Sequence, residues 1–187
     1  MDHYLEIQLL PDLEFGQPML MGALCSKFHR ALVILESQSI GVSFPKYSLK
    51  PKGLGDTFRV HGSVRELEQL QALEWLKGMN DHVRVSSIRR VPDSAQHRTV
   101  KRRQYKTNVD RLRRRRMTRK GETYQEASDA IPCSVEQRPD VPFVVMRSQS
   151  TGQAFHLFVE LGQPQSKAVA GHFNSYGLSQ GATVPVF

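Results

Sequence analysis

The sequence predicts an α+β fold: an N-terminal ferredoxin-like (RRM-like) domain, then a C-terminal α/β unit with an arginine-rich helix. Three observations predict it. Over residues 1–92, alternating and helix-period apolar patterns follow in the order strand–helix–strand–strand–helix–strand. Basic residues gather in one internal segment instead of spreading along the chain. Hydrophobic residues make up 39% of 187 residues, which suits one or two compact domains and excludes wholesale disorder.

Each element has a local reason. Residues 3–10 (HYLEIQLL) read as a strand. Pro18 suits the first turn of a helix, and Leu20, Leu24, Phe28, Ala31 and Leu35 recur at helical spacing behind it. Residues 40–44 (IGVSF) and 57–61 (TFRVH) are short strands, joined by a stretch rich in proline and glycine that predicts a loop. Ser63 and Glu66 form the two ends of a capping box, and Leu67, Leu70, Leu73, Leu76 and Met79 give the helix that follows its buried stripe, with Gly78 near its end. Residues 82–91 alternate and read as a fourth strand. The aromatic signature of a standard RRM is missing, so base stacking on the sheet face is not supported.

Residues 93–107 are polar and read as an irregular linker into the unit spanning 108–187. Asn108 is a helix N-cap, Asp110 favours the positive helix end and Gly121 suits the position just past the last turn. The span 109–120 is then a short helix made almost entirely of cations, whose like-charge pairs four residues apart oppose it until a polyanion neutralises them. Another turn or two of helix follows at 122–130, and strands are expected at 142–147, 154–160 and 183–187.

Charge distribution narrows the function class. Between Arg98 and Lys120 twelve basic residues surround one acid, Asp110, so this segment carries +11 and leaves −3 for the rest of a +8 chain. A slightly acidic body with one concentrated cationic element implies a polyanion partner. Guanidinium forks suit phosphates and guanine edges, and a helix studded with them fits a groove opened at a hairpin loop. No apolar run approaches the length of a membrane span, and the first residues read as a strand in place of a signal peptide. Cys25 and Cys133 form no CxxC pair, which points to a reducing, cytoplasmic setting. No HExxH, zinc-finger, EF-hand or P-loop pattern occurs, so neither a metal nor another cofactor is expected.

RNA can be cut without metal because its 2′-hydroxyl is an internal nucleophile; the protein need only align it and move protons. Histidine is the natural proton carrier near neutral pH. His29 lies on the first helix one position past Phe28, with a purely structural role as its alternative. Cys25 sits four residues earlier on the same helix face, but no third orienting residue accompanies that pair. The segment 147–152 (RSQSTG) concentrates hydroxyls, an amide and a glycine between two strands, as a ribose- or phosphate-gripping loop does and as an ordinary hairpin turn also does. Tyr176 beside Gly177 presents a phenol at a turn.

These pieces together resemble the type I-F (Csy) CRISPR RNA endoribonuclease family. The matching text is MDHYL at the start, KFHRAL around His29, IGVSFP at 40–45, RLRRRRM in the basic helix, PFVVMRSQSTGQAF, SYGLSQG and a terminal VPVF. The resemblance implies cleavage of the CRISPR repeat transcript at the 3′ base of its stem-loop by 2′-hydroxyl attack, with the product RNA retained. It implies that His29 transfers a proton, Ser148 holds the ribose and Tyr176 orients the histidine. It further implies that Arg102 and Gln104 read base edges, Phe155 stacks on a base, and Arg115 and Arg119 enter the groove. Arg111 and Arg114 then line phosphates, and Ser150 joins the RNA-binding set. Partners implied are the repeat stem-loop and the other subunits of the type I-F surveillance complex. A non-catalytic hairpin-binding subunit is the alternative reading. Thr118 stands where the family can carry arginine, and Arg116 adds a charge on another side of the helix.

Overall fold

A computed structural model describes residues 1–137, 139–148 and 151–187. The described residues form several antiparallel sheets and four α-helices, and the chain divides into two compact units, residues 1–103 with 141–187, and residues 104–140.

The larger unit begins with β1 (His3–Leu9), whose alternating residues Leu5, Ile7 and Leu9 are buried. Helix α1 (Gln17–Leu35) follows, with Pro18 in its first turn. It ends where Glu36 turns left-handed and its N–H reaches the carbonyls of Leu32 and Val33. Then come β2 (Gly41–Ser43), a two-strand hairpin of β3 (Ser48–Leu49) and β4 (Lys52–Gly53) inside the expected loop, and β5 (Thr57–Gly62), buried throughout. Helix α2 (Val64–Ala72) starts at the expected capping box: the Ser63 hydroxyl accepts from Glu66 N–H while the Glu66 carboxylate takes the Ser63 N–H.

Two expectations are corrected here. Helix α2 stops well before Met79, because Glu74 adopts a left-handed φ of 46° and the chain continues in turns; Met79 still reaches the core. The fourth strand is broken into β6 (Val83–Val85) and β7 (Arg89–Arg90), both paired with β1. Ser86 causes the break. Its N–H donates to Glu6 O at 2.8 Å and its hydroxyl accepts from Glu6 N–H at 2.9 Å, so a side chain replaces a ladder bond. The sheet runs β2–β5–β1–β6, antiparallel throughout. Leu24, Phe28, Phe58, Val60, Leu67 and Leu70 pack beneath it.

Residues 96–103, expected to be irregular, form β8 (Gln96–Arg98) and β9 (Val100–Arg103). Their partners lie far along the chain, so no local pattern marked them. After the second unit come β10 (Phe143–Arg147), β11 (Ala154–Leu161), β12 (His172–Phe173), β13 (Ser179–Gln180) and β14 (Val184–Val186). A second sheet has the order β10–β11–β9, and β14 pairs β8. On one face of that sheet lie Val144 and Met146, then Phe155, Leu157 and Val159, then Val100 and Arg102, by the two-residue strand period. Helix α1 packs on β10 so closely that a Cβ on Gly22 would sit 2.5 Å from Val145 O. This contact brings the helix bearing His29 beside the sheet bearing Arg102 and Phe155.

The absence of a long apolar stretch, expected above, needs amendment. Helix α1 is 19 residues long with an 18-residue window of hydropathy 1.2, long and apolar enough by composition to cross a membrane. Its apolar face is instead spent on the core, where Leu20, Met21, Leu24, Phe28 and Leu32 are buried.

The smaller unit holds α3 (Val109–Lys120) and α4 (Tyr124–Ala130). Helix α3 keeps its expected bounds. The Asn108 side chain caps the Arg111 N–H at 2.8 Å, and Gly121 closes the helix with φ 69°. Buried Arg113 ties the two helices together. Its guanidinium donates to Ile131 O at 3.0 Å, to the Tyr124 hydroxyl at 3.3 Å and to Cys133 Sγ at 3.4 Å. Helix α3 therefore owes order to an internal anchor as well as to any polyanion.

Candidate functional site

His29 is half-buried on α1, directly after core residue Phe28. Its Nδ1 lies 2.8 Å from the backbone carbonyl of Ser175. A carbonyl only accepts, so Nδ1 carries the hydrogen and the neutral ring keeps its lone pair on Nε2. The Tyr176 ring stacks on the imidazole, with centroids 4.2 Å apart and planes 10° from parallel.

The loop presenting both groups is fixed from inside. The Asn174 side-chain oxygen accepts the N–H of Tyr176 at 2.9 Å and of Leu178 at 3.1 Å. Gly177 adopts φ 70°, and a Cβ there would meet Phe28 Cε1 at 2.7 Å. Its carbonyl accepts from Val42 N–H at 2.9 Å. Only glycine meets both demands, the left-handed turn and the contact with the helix that bears His29.

Arg102 joins this stack from β9. Its guanidinium carbon is 5.1 Å from the Tyr176 ring centre and 5.7 Å from that of Phe155. Its Nε is buried without a hydrogen-bond partner among the described residues. His29, Tyr176, Arg102 and Phe155, far apart in sequence, thus form one cluster. Ser148 stands half-buried at the head of the β10–β11 hairpin, where its N–H donates to Gln153 O at 2.9 Å and its carbonyl accepts from Gly152 N–H at 2.8 Å. Ser150 lies outside the described residues.

The smaller unit presents cations. Arg111, Arg114, Arg115 and Arg119 are exposed on α3, and Gln104 is exposed at the start of the unit. Two other arginines are occupied: Arg113 by the anchor described above, and Arg116 by Glu122, whose carboxylate it meets at 2.9 Å. The RNA-binding set implied by the resemblance left both of these out and put Arg116 on another side of the helix, but it did not foresee the groups that occupy them. The signal was present in spacing, because Arg113 falls one turn after buried Val109 and so on the packed face. Sequence reading also missed Ser175 and Asn174, although an asparagine three residues before a glycine is a turn signature.

A family model described as CRISPR-associated protein (Cas_Csy4) matches residues 4–187. The chain belongs to the Cas_Csy4 family. A protein named CRISPR-associated endonuclease Cas6/Csy4 from Pseudomonas aeruginosa (strain UCBPP-PA14) is 46% identical over 187 residues, all of both chains. One of the same name from Escherichia coli (strain UTI89 / UPEC) is 43% identical over the same full length. A solved structure described as "An RAMP protein binding different RNA substrates" aligns over both whole chains at 13% identity and a TM-score of 0.35, too distant a likeness to build on.

Within this Cas_Csy4 chain, two rival groups for proton or nucleophile chemistry are unsuited to it. Burial pushes the Cys25 thiol up to about 12, so no useful thiolate exists near neutral pH. Burial, with the nearby Arg59 charge, pushes the His61 imidazole down to about 3, where it stays neutral and bonded to the Ser43 hydroxyl at 2.8 Å. Among the described residues, no three His, Cys, Asp or Glu side chains gather as a metal site would need.

Proposed function

We propose that this chain is an endoribonuclease that cuts the CRISPR repeat transcript at the 3′ base of its stem-loop without metal, then keeps the product RNA. Membership of a family whose relatives are named CRISPR-associated endonucleases supports the reaction class. The observation that carries the mechanism is the His29 Nδ1–Ser175 O contact at 2.8 Å, which turns a basic Nε2 away from its anchor. In this mechanism Nε2 takes the proton of the substrate 2′-hydroxyl, and the 2′-oxygen attacks the adjacent phosphorus. The bond from phosphorus to O5′ breaks, and O5′ leaves as a 5′-hydroxyl after gaining a proton from solvent. The other product ends in a 2′,3′-cyclic phosphate. Tyr176 keeps the imidazole in plane, and Ser148 holds the ribose.

Recognition is shared by groups with different chemistry. Arg102 and Gln104 read guanine and adenine edges near the bottom of the stem, as a guanidinium and an amide fork do. Phe155, half-buried beside Arg102, stacks on a base. Arg115 and Arg119 enter the groove while Arg111 and Arg114 meet phosphates. We assign residues 1–92 to a ferredoxin-like domain, which the β2–β5–β1–β6 order and the two intervening helices support. The retained RNA then recruits the other subunits of the surveillance complex.

The test is incubation with the host's repeat RNA in excess EDTA, followed by end-group analysis of both fragments. Cyclic phosphate and 5′-hydroxyl ends are expected. A need for added divalent metal, or 5′-phosphate ends, would reject the mechanism. His29→Ala should lose cutting and keep affinity, whereas a parallel loss of affinity would make His29 a packing residue.

A further inference from the structure

We propose that Arg102 is a positioning residue for His29, acting through the ring of Tyr176, while the same guanidinium reads the RNA base. The inference rests on the base-reading role assigned above and adds a link from recognition to chemistry.

The geometry supplies the link. Tyr176 meets both groups: it stacks on the imidazole at 4.2 Å and lies 5.1 Å from the Arg102 guanidinium carbon. Phe155 takes up the guanidinium at 5.7 Å. Arg102 is therefore held by aromatic rings, and its buried Nε has no hydrogen-bond partner among the described residues. An orphaned buried donor is costly in a protein interior, so the Arg102 side chain is not held in place by hydrogen bonding through Nε.

A guanidinium has two separable modes of contact. Its flat face is attracted to aromatic faces, and its edge carries the N–H donors in a rigid fork. The two directions are perpendicular, so in the proposed arrangement a guanidinium that turns its face to the Tyr176 ring offers its fork to an acceptor pair such as guanine O6 and N7. One side chain then does both tasks at once. A base that engages the fork fixes Arg102, Arg102 fixes the Tyr176 ring, and the ring holds the imidazole whose Nδ1 is already tied to Ser175 O. A mispaired or absent base leaves the cation, and hence the stack, less well held. Lysine at this position would keep a cation for the rings but lose the planar fork.

The experiment measures three quantities on Arg102→Met, Arg102→Gln and Arg102→Lys in the full chain: repeat RNA affinity, cleavage rate at saturating protein in a single turnover, and the His29 ring-proton NMR shifts of the free protein. The stacked Tyr176 ring shifts those protons, so they report the stack directly. For Arg102→Met and Arg102→Gln, the shifts should move and the saturated rate should fall about tenfold, the size of one cation–ring contact in a partly dry site. For Arg102→Lys, which keeps a cation for the rings but loses the planar fork, the ring-proton shifts of the free protein should move less than in the neutral variants while affinity weakens. Wild-type shifts and saturated rate in whichever neutral variant folds would overturn the proposal. Affinity judges the underlying reading separately, since unchanged affinity in all three variants would remove the base-reading role whatever the rate does.

Discussion

Replacing Gly177 by alanine tests how the turn controls the site. At φ 70° an alanine costs about 1–2 kcal/mol for the left-handed backbone alone. Its Cβ would lie 2.7 Å from Phe28 Cε1, 3.2 Å from Phe28 Cζ and 3.4 Å from Val42 Cγ1. Phe28 is 1% exposed and in contact with Phe58 and Trp75, so it has nowhere to retreat, and overpacking adds about 1–3 kcal/mol. The total of about 2–5 kcal/mol lies within the stability of most single domains, about 5–15 kcal/mol, so the variant should fold. Gly181 is the control. It also has positive φ, at 99°, but open space where its Cβ would go, so Gly181→Ala should lose only the backbone part. The clash must push the 174–178 turn away from α1, carrying with it Ser175 O and Tyr176. A displacement near 1 Å should cost about 10²-fold in cleavage. Urea unfolding gives the first quantity and single-turnover cleavage at saturating protein the second. RNA affinity should fall less than cleavage, because α3 is untouched and the loss is confined to Arg102, which meets the displaced Tyr176. Gly177→Ala cleaving at the wild-type rate, or destabilising no more than Gly181→Ala, would refute the coupling of turn to site.

Three further outcomes follow from the same structure. Cys25→Ala should cut RNA at the wild-type rate, since a thiol pushed up to about 12 is no nucleophile; loss of cleavage in a folded variant would reinstate the Cys–His pair. Folded His61 stays neutral down to about 3 while unfolded His61 takes a proton near 6.5, so the unfolded chain binds more protons between these values. Stability is thus full above pH 6.5 and falls below it, by about 1.4 kcal/mol from this residue between pH 7.5 and 5.5, an increment His61→Gln should lack in urea titrations. An equal pH dependence in both proteins would contradict the buried neutral assignment. Arg115→Glu with Arg119→Glu should leave the circular dichroism spectrum intact and make the log–log salt slope of hairpin binding shallower by about two; unchanged affinity would exclude α3 from the interface.

The elements that sequence reading located best are those specified by neighbouring residues. Ser63 with Glu66, and Asn108 with Gly121, set helix ends within a few positions, and these ends stand in the structure. What escaped it depends on partners distant in sequence. The Ser86 hydroxyl breaks a strand because it meets Glu6, eighty positions away. Strands β8 and β9 exist because β14 and β11 lie beside them. The site divides in the same way. His29 and Tyr176 were legible as residues with suitable chemistry. The Ser175 carbonyl was not, since a backbone acceptor carries no residue-type signal, yet it decides which ring nitrogen is basic. The resemblance marked Arg102 as a base reader, but its place beside Tyr176 and Phe155 depends on strands distant in sequence and was not legible.

The most direct measurement uses a repeat RNA with a single 2′-deoxyribose at the nucleotide 5′ to the cut, mixed with wild-type protein in chelator. If the substrate supplies its own nucleophile and His29 Nε2 takes its proton, this RNA binds as tightly as the all-ribose form and stays whole. Cleavage of the deoxy RNA would show that the attacking oxygen comes from elsewhere.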